Sequence, residues 1–160
     1  MKQTNYFKFL LLSLLMLVGA GGAWADETLF SAVCDVTSDV KLAASTTSDI
    51  TTSQATISGG SMKFTNGDTK EQKYLAKQKN RGAFCIGASA TYFTITLNTA
   101  LQAGDKINFD LYTANGDTKI GLKINSTIVS EATTPSSTAW VSAPEYTVTA
   151  GDGLDRKSVV

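Results

Sequence analysis

Aromatic and polar side chains on shared faces of predicted strands are the residues of this chain with the clearest binding chemistry. A sugar ring has an apolar face of C–H groups that stacks on Trp or Tyr, while its hydroxyl groups need hydrogen-bonding partners. Trp140 lies in a polar stretch, and Tyr92 and Tyr112 each alternate with the apolar residues of their segments. Asn108 and Asp110 share the predicted face of Tyr112. This pattern predicts a sugar-binding surface with Trp140 and Tyr112 as stacking platforms and Asn108 and Asp110 as hydrogen-bonding partners.

The same aromatic residues also have a structural interpretation. Trp140 could pack its loop onto the core, and Tyr92 and Tyr112 could bridge a second buried layer, because large aromatic side chains dominate core packing. Both interpretations remain open at the level of sequence.

The residue types needed for catalysis are poorly represented. The chain has no His, which removes the usual general base of nucleophilic triads and a common metal ligand. A glycoside hydrolase needs two convergent carboxylates. The available ones are turn residues or neighbours of turns, a setting typical of solvated side chains: Asp105, Asp110, Asp117, Glu131 and Glu145. We therefore expect a protein that is not an enzyme.

Loop oxygens offer a structural calcium site as an alternative to a domain with no cofactor. Carboxylate and amide oxygens are the ligands that Ca²⁺ prefers. The candidates in predicted loops are Asn66, Asp68, Asn115, Asp117 and Asp152. No spaced Asp-x-Asp-x-Asp-Gly loop is present, so the pattern does not select a ligand set.

The amino-terminal end has the pattern of a cleaved signal peptide over residues 1–25. Two Lys residues flank the start, an apolar run extends from Phe9 to Val18, and Ala23-Trp24-Ala25 forms a small-x-small cleavage pattern. This predicts export, with the protein secreted or held at the cell surface. The apolar run is shorter than the roughly 20 residues of a membrane-spanning helix, so no membrane span is expected.

The carboxyl-terminal residues 155–160 match a peptide encoded by a widely used sequencing adapter, and we interpret them as a non-native tail. On this interpretation the native chain continues past Leu154, and the domain lacks its last strand or strands. The segment between the two ends, residues 26–154, has a usual length for one domain. It is slightly acidic, because four basic residues but only one acidic residue lie outside it. That balance argues against a nucleic-acid partner.

Cys34 and Cys85 are the only cysteines of the chain. In the oxidising compartment that export predicts, a disulfide between them would close a long loop and add about 2 to 4 kcal/mol of stability. Cys85 also fits a core strand position between Phe84 and Ile86. Two buried free thiols are therefore the alternative.

Apolar residues at every second position predict half-buried strands. Phe93, Ile95 and Leu97 show this alternation, which recurs in residues 107–112 and 119–124. Asn115-Gly116 suits a tight turn, so Leu111 to Ile124 is predicted as a hairpin. Short extended segments separated by turn signals predict a single all-β, antiparallel β-sandwich.

Two segments lack this alternation. Thr69 to Lys79 is rich in Lys and is predicted as a solvated loop or a single helical turn, with a basic patch for an acidic polymer as the alternative. Ser45 to Ser53 is predicted as a Ser/Thr-rich loop.

Residues 91–150 resemble the jelly-roll sandwiches of galactose-binding-like domains and of family 6/35-like carbohydrate-binding modules. The likeness rests on the Tyr92–Leu97 strand, the Ala103-Gly104-Asp105 turn, the Tyr112-Thr113-Ala114-Asn115-Gly116 turn and a later loop with Trp140. The resemblance implies a jelly roll whose sugar site uses a loop Trp and polar loop residues, here Trp140 and the region of Asn115. The leader and composition also resemble those of secreted Bacteroidetes proteins.

Together these observations predict an exported, non-catalytic carbohydrate-binding or adhesion-type module. Its partner would be a glycan or a cell-surface polysaccharide, and its site residues would be Trp140, Tyr112, Asp110, Asn108 and Asn115. A purely structural surface domain and the amino-terminal accessory part of a larger secreted hydrolase are the alternatives.

Overall fold

The computed structural model describes residues 28–112, 119–125, 127–133, 139–152 and 158–159. Within these ranges the chain forms short strands and one 3₁₀ turn, Ala150–Asp152. The strands are β1 Ser31–Cys34, β2 Val40–Leu42, β3 Thr46–Asp49, β4 Ala55–Ser58, β5 Gly60–Asn66, β6 Gln72–Gln78, β7 Arg81–Phe84, β8 Thr91–Leu97, β9 Lys106–Ile107, β10 Asp110–Leu111, β11 Lys119–Ile124, β12 Thr127–Thr133, β13 Val141–Ser142, β14 Tyr146–Thr147 and β15 Ser158–Val159.

The strands pair in antiparallel fashion throughout the described ranges. The largest sheet has the order β12-β11-β15-β8-β5-β3, and a three-stranded sheet has the order β2-β6-β7. Three two-stranded ladders, β1-β4, β9-β14 and β10-β13, complete the fold. The predicted all-β antiparallel class is confirmed. No helix in the described ranges is long and apolar enough to cross a membrane.

An aromatic core holds the six-stranded and three-stranded sheets together. We use this name for Phe64 on β5, Tyr74 on β6, Phe84 on β7 and Phe93 on β8. The rings of Phe64 and Tyr74 are stacked with centroids 5.0 Å apart, and Phe93 lies 4.9 Å from Phe64 and 5.4 Å from Phe84. Phe64 has no exposed surface. Since each ring contributes a large buried apolar area, this cluster is the main packing contact between the sheets.

The second half of the chain packs around smaller clusters. Leu97, Leu122, Ile124 and Val148 are among the residues of one cluster, and Ile95 packs against both this cluster and the aromatic core. A third cluster contains Leu111, Ala132 and Ala143. The alternation predicted for β8 is confirmed, because Phe93 and Leu97 are buried while Tyr92 is exposed.

Two predicted loops are strands. β6 occupies most of the segment from Thr69 to Lys79, and its consecutive residues Tyr74, Leu75 and Ala76 are all buried. A strand covered on both faces has no period-two pattern, so alternation of apolar residues does not predict it from the sequence. β3 lies in the predicted Ser/Thr-rich loop and pairs along one side with β5, as a polar edge strand.

The predicted hairpin from Leu111 to Ile124 is wrong. β10 pairs with β13, and β11 pairs with β12 and β15. β13, the partner of β10, is about 30 residues further along the chain. Next to this ladder, the Ala143 N–H donates a hydrogen bond to the Phe109 carbonyl at 2.8 Å. A favourable turn dipeptide is therefore overridden by tertiary pairing. Asn115 and Gly116 themselves lie outside the described residues.

Ser158 and Val159, which the sequence places in the expected non-native tail, form a strand inside the largest sheet. β15 pairs with Thr96 and Ile95 on one side and with Ile124 on the other. It therefore joins β8 to β11. The predicted signal peptide, residues 1–25, lies outside the described ranges.

Candidate functional site

Two neighbouring strands place three of the predicted site residues together. Asp110 on β10 is directly opposite Ser142 on β13, and Leu111 is opposite Val141. Continuing this register by one position puts Tyr112 opposite Trp140, on the same face as Asp110, because side chains alternate along a strand. The two rings are in contact, with centroids 5.3 Å apart and planes tilted by 40°.

Arg81, the first residue of β7, lies against this pair from the three-stranded sheet. Its two terminal nitrogens donate hydrogen bonds to Asp110 Oδ2, each at 3.1 Å. Its Cζ atom also lies over the Trp140 ring, 4.4 Å from the centroid. A guanidinium at that distance from an indole face makes a cation–π contact. Arg81 therefore connects the carboxylate to the aromatic pair.

Ser142 completes the arrangement by donating its Oγ–H to Asp110 Oδ1 at 3.0 Å. Both carboxylate oxygens thus accept hydrogen bonds. The Ser142 hydrogen bond, followed by that of Arg81, lowers the pKa of Asp110 below its usual value. We call Arg81, Asp110, Tyr112, Trp140 and Ser142 the surface cluster.

The surface cluster is accessible to solvent. The side chains of Arg81 and Asp110 are 55 % and 39 % exposed, and Tyr112 and Trp140 are half-buried. The Nε1 atom of Trp140 is buried and has no hydrogen-bond partner among the described residues, although the ring as a whole is not enclosed. The cluster thus presents aromatic carbon next to charged and hydroxyl groups, the combination that a sugar ring requires.

Asn108 is directed to a different partner. Its Nδ2 donates to Glu145 Oε2 at 3.5 Å, and Glu145 also pairs with Lys106 at 3.0 Å. The β9-β14 register places Asn108 opposite Glu145. The hydrogen bond from the Ala143 N–H to the Phe109 carbonyl places Phe109 opposite Ala143. Pro144 is thus an extra residue between the two ladders, and it has no N–H to continue the pairing. This bulge separates Asn108 from the surface cluster.

Asn115, the remaining predicted binding residue, lies outside the described residues, as does Asp117.

The other candidate calcium ligands have protein partners. Asn66 is fully buried; its Nδ2 donates to the carbonyls of Leu42, Ala43 and Lys70, and its Oδ1 accepts from the Asp68 N–H. Asp152 Oδ2 accepts from the Tyr146 hydroxyl at 2.9 Å and from the Thr149 N–H at 2.7 Å. In the described part of the chain, no three His, Cys, Asp or Glu residues form a group that could hold a metal.

Cys34 and Cys85 are free thiols that share one acceptor. Cys34 Sγ lies 3.5 Å and Cys85 Sγ lies 3.8 Å from the carbonyl oxygen of Ala83. Burial raises the pKa of Cys34, and it raises that of Cys85 to about 11. Both thiols are therefore protonated at neutral pH. The disulfide between them stays a prediction.

Sequence reasoning missed Arg81 and Ser142. Arg81 follows the Lys-rich segment from Thr69 to Lys79, and nothing in its local sequence indicates its partner Asp110, which is 29 positions away. Ser142 could have been found, because it lies two positions after Trp140 and hence on the same face of an extended strand.

The chain matches no known family model, no curated protein and no solved structure.

Proposed function

We propose that this chain is a non-catalytic carbohydrate-binding module whose binding surface is the surface cluster. The observation that carries the proposal is the half-buried Tyr112–Trp140 pair, which directly adjoins the exposed ion pair of Arg81 and Asp110. The rings supply an apolar surface for sugar C–H groups. The guanidinium, carboxylate and Ser142 hydroxyl supply donors and acceptors for sugar hydroxyls.

The contact between Arg81 and Trp140 defines how a sugar would bind. Arg81 covers one face of the indole, so the stacking surface is the Tyr112 ring together with the part of Trp140 that Arg81 leaves open. A single sugar residue on such a small exposed surface gains little affinity. A polymer with repeated contacts is therefore the partner that fits best, and we infer export and display at the cell surface as its setting.

A glycan-array screen of the purified chain tests this function. Binding to a defined set of glycans is expected, with loss of the signal in Trp140→Ala and in Tyr112→Ala. Tyr92→Ala is the matched control, because Tyr92 is an exposed aromatic side chain on β8 and is not part of the surface cluster. Silence across all glycans, or equal loss in the control, would remove the proposal.

A structural surface domain without a small ligand is the second candidate. The Nε1 of Trp140, which is buried and has no hydrogen-bond partner among the described residues, and the guanidinium over its ring support this candidate, since both are typical of a packing residue. In that case Trp140→Ala would lower the free energy of unfolding and change no binding. Urea denaturation of the variant, run beside the glycan screen, separates the two candidates.

A further inference from the structure

The hairpin formed by β6 and β7 carries positive charge to the edge of the surface cluster. Gln78 and Arg81 are opposite each other, and Lys79 and Asn80 form the two-residue turn between them. Lys77, Lys79 and Arg81 therefore lie close together at the end of this hairpin, and all three side chains are exposed. We call these three residues the basic tip.

The backbone of the turn is strained at Lys79. The turns that suit a two-residue hairpin need a positive φ at their first residue, and Gly and Asn adopt it most readily. Lys79 takes this position with a φ of 55°. A Gly or an Asn would form the same turn with less strain and without a charge. Backbone strain is common at functional sites, and here it accompanies an exposed positive charge.

Positive charge is concentrated at the basic tip. Elsewhere in the described chain, several exposed Lys residues each pair with one carboxylate, as Lys63 does with Asp49 at 3.3 Å. Among the described residues, one carboxylate pairs with the three cations of the basic tip, that of Asp110 on Arg81. Residues 26–154 as a whole are slightly acidic. The basic tip is therefore a local positive region, which complements a negatively charged partner.

The basic tip and the aromatic pair of the surface cluster are close enough to contact one polymer chain. Arg81 belongs to both, and its Cζ lies 4.4 Å from the centroid of the Trp140 ring. Lys79 is two positions from Arg81, so their Cα atoms are at most about 7.6 Å apart. Arg81 uses two of its five N–H groups on Asp110, and its planar guanidinium suits oxyanions such as a carboxylate or a sulfate. A sugar polymer that stacks on Tyr112 and Trp140 therefore places its neighbouring units at the basic tip.

We propose that the surface cluster and the basic tip together bind a polysaccharide with anionic groups along its chain. Its sugar rings lie on Tyr112 and Trp140, and its carboxylate or sulfate groups pair with Lys77, Lys79 and Arg81. This proposal rests on the carbohydrate-binding function proposed above and names the class of glycan. Because an ion pair with an exposed Lys is weak, affinity requires repeated anionic units.

Isothermal titration calorimetry of the full chain with two matched pairs of polymers tests the proposal. Dextran sulfate is compared with dextran, and polygalacturonate with its methyl ester, since the members of each pair differ mainly in charge. At least one anionic polymer should bind at least about tenfold more tightly than its neutral counterpart, because repeated units add contacts. This preference should shrink as NaCl screens the charges. The pair that shows it identifies sulfate or carboxylate as the recognised group.

Two results of this titration would overturn the proposal. One is equal binding within both pairs of polymers. The other is tighter binding to phosphatidylserine vesicles than to either anionic polymer, because the basic tip would then recognise a lipid surface.

Removal of charge from the protein separates the basic tip from general electrostatic attraction. The double variant Lys77→Gln/Lys79→Gln should lose at least about tenfold in affinity for the preferred polymer. The matched control, Lys70→Gln/Lys123→Gln, removes the same charge from residues before β6 and on β11, and its affinity should change less than about twofold. Circular dichroism verifies that both variants fold. Equal losses in the two variants would contradict the proposal.

Lys79→Asn tests the turn residue by itself. Asn keeps the positive φ and removes the charge, so this variant should melt at the same or a higher temperature and bind the preferred polymer more weakly. Unchanged affinity would contradict the role of the basic tip.

The outcomes for the two proposals can be told apart. If the chain binds neutral glycans through Trp140 and Tyr112 and shows no preference for charge, the carbohydrate-binding function stands and the anionic class is wrong. If Trp140→Ala and Tyr112→Ala leave binding of the anionic polymer unchanged, the basic tip acts without the aromatic pair and both proposals fail.

Discussion

The aromatic core and the surface cluster have nearly the same ring spacing but very different surroundings. Phe64 and Phe93 are 4.9 Å apart, and Tyr112 and Trp140 are 5.3 Å apart. Phe64 is fully buried between two sheets, whereas the Tyr112–Trp140 pair is half-buried beside an exposed ion pair. Ring contact alone therefore does not define a residue's role. What differs is the area removed from water, which determines how much a pair stabilises the fold.

The largest expected effect is in the aromatic core. Phe64→Ala should lower the free energy of unfolding by about 3 to 5 kcal/mol, because it removes a ring that contacts both Tyr74 and Phe93 and leaves a cavity. Urea denaturation followed by circular dichroism measures this loss. If Phe64→Ala lowered the free energy of unfolding by less than Trp140→Ala does, the surface cluster would stabilise the fold more than the aromatic core, contrary to expectation.

Disulfide formation would add to the stability of the region around the aromatic core, because it would link the end of β1 to the residue that follows β7. Oxidation of Cys34 and Cys85 should raise the free energy of unfolding by about 2 to 4 kcal/mol through a constrained unfolded state. Denaturation with and without reductant, combined with mass spectrometry for the loss of two hydrogens, measures it. Cys85→Ser should abolish the difference. Coinciding curves for the wild-type chain would show that the thiols do not pair.

Trp140→Ala should have a smaller effect on stability than Phe64→Ala. A half-buried ring loses less apolar burial, so we expect a loss below about 2 kcal/mol, together with the loss of glycan binding. The same denaturation experiment applies. A loss as large as that for Phe64→Ala would identify Trp140 as a core residue and favour the purely structural candidate.

How far the sequence predicts each region depends on which interactions are local. Alternation identified the inward face of β8 correctly, because Phe93 and Leu97 are buried on the same face of a single strand. It failed for β6, whose residues Tyr74 to Ala76 are buried on both faces.

The surface cluster shows the same limit. Asp110 and Tyr112 share a face because they are two residues apart, and the sequence predicted this. Asn108 obeys the same spacing, yet the bulge at Pro144 gives it Glu145 as its partner. Arg81 lies on a strand of another sheet, and its contact with Asp110 cannot be predicted from a local sequence pattern.

The ion pair between Arg81 and Asp110 should contribute little to stability despite its good geometry. Both side chains are more than one-third exposed, so water screens the charges, and a double-mutant cycle with Arg81→Ala and Asp110→Asn should give a coupling free energy below about 1 kcal/mol. A larger coupling would mean that the surface cluster is energetically part of the core.

The smallest expected effect is a pH response of the surface cluster. Hydrogen bonds from Ser142 and then Arg81 lower the pKa of Asp110, so the folded state favours the ionised carboxylate. The resulting stabilisation is present above the unfolded-state pKa and is lost as the pH falls through the lower, folded-state pKa. In a Trp24→Phe chain, which retains Trp140 as its only Trp, fluorescence should be constant at neutral and mildly acidic pH and change only below the ordinary titration range of an Asp carboxyl group.

Asp110→Asn is the control for that response, because an amide keeps the shape of the side chain and does not titrate. Its fluorescence should be flat through the acid range until the chain unfolds. A transition that persists in Asp110→Asn would come from another carboxylate, and one near neutral pH would contradict the direction of the Asp110 shift. A transition confined to the wild-type chain would show that Arg81 leaves the Trp140 ring when its carboxylate partner is neutralised. The surface cluster would then be a set of solvent-exposed contacts whose geometry depends on the charge of Asp110, in contrast to the buried ring packing of the aromatic core.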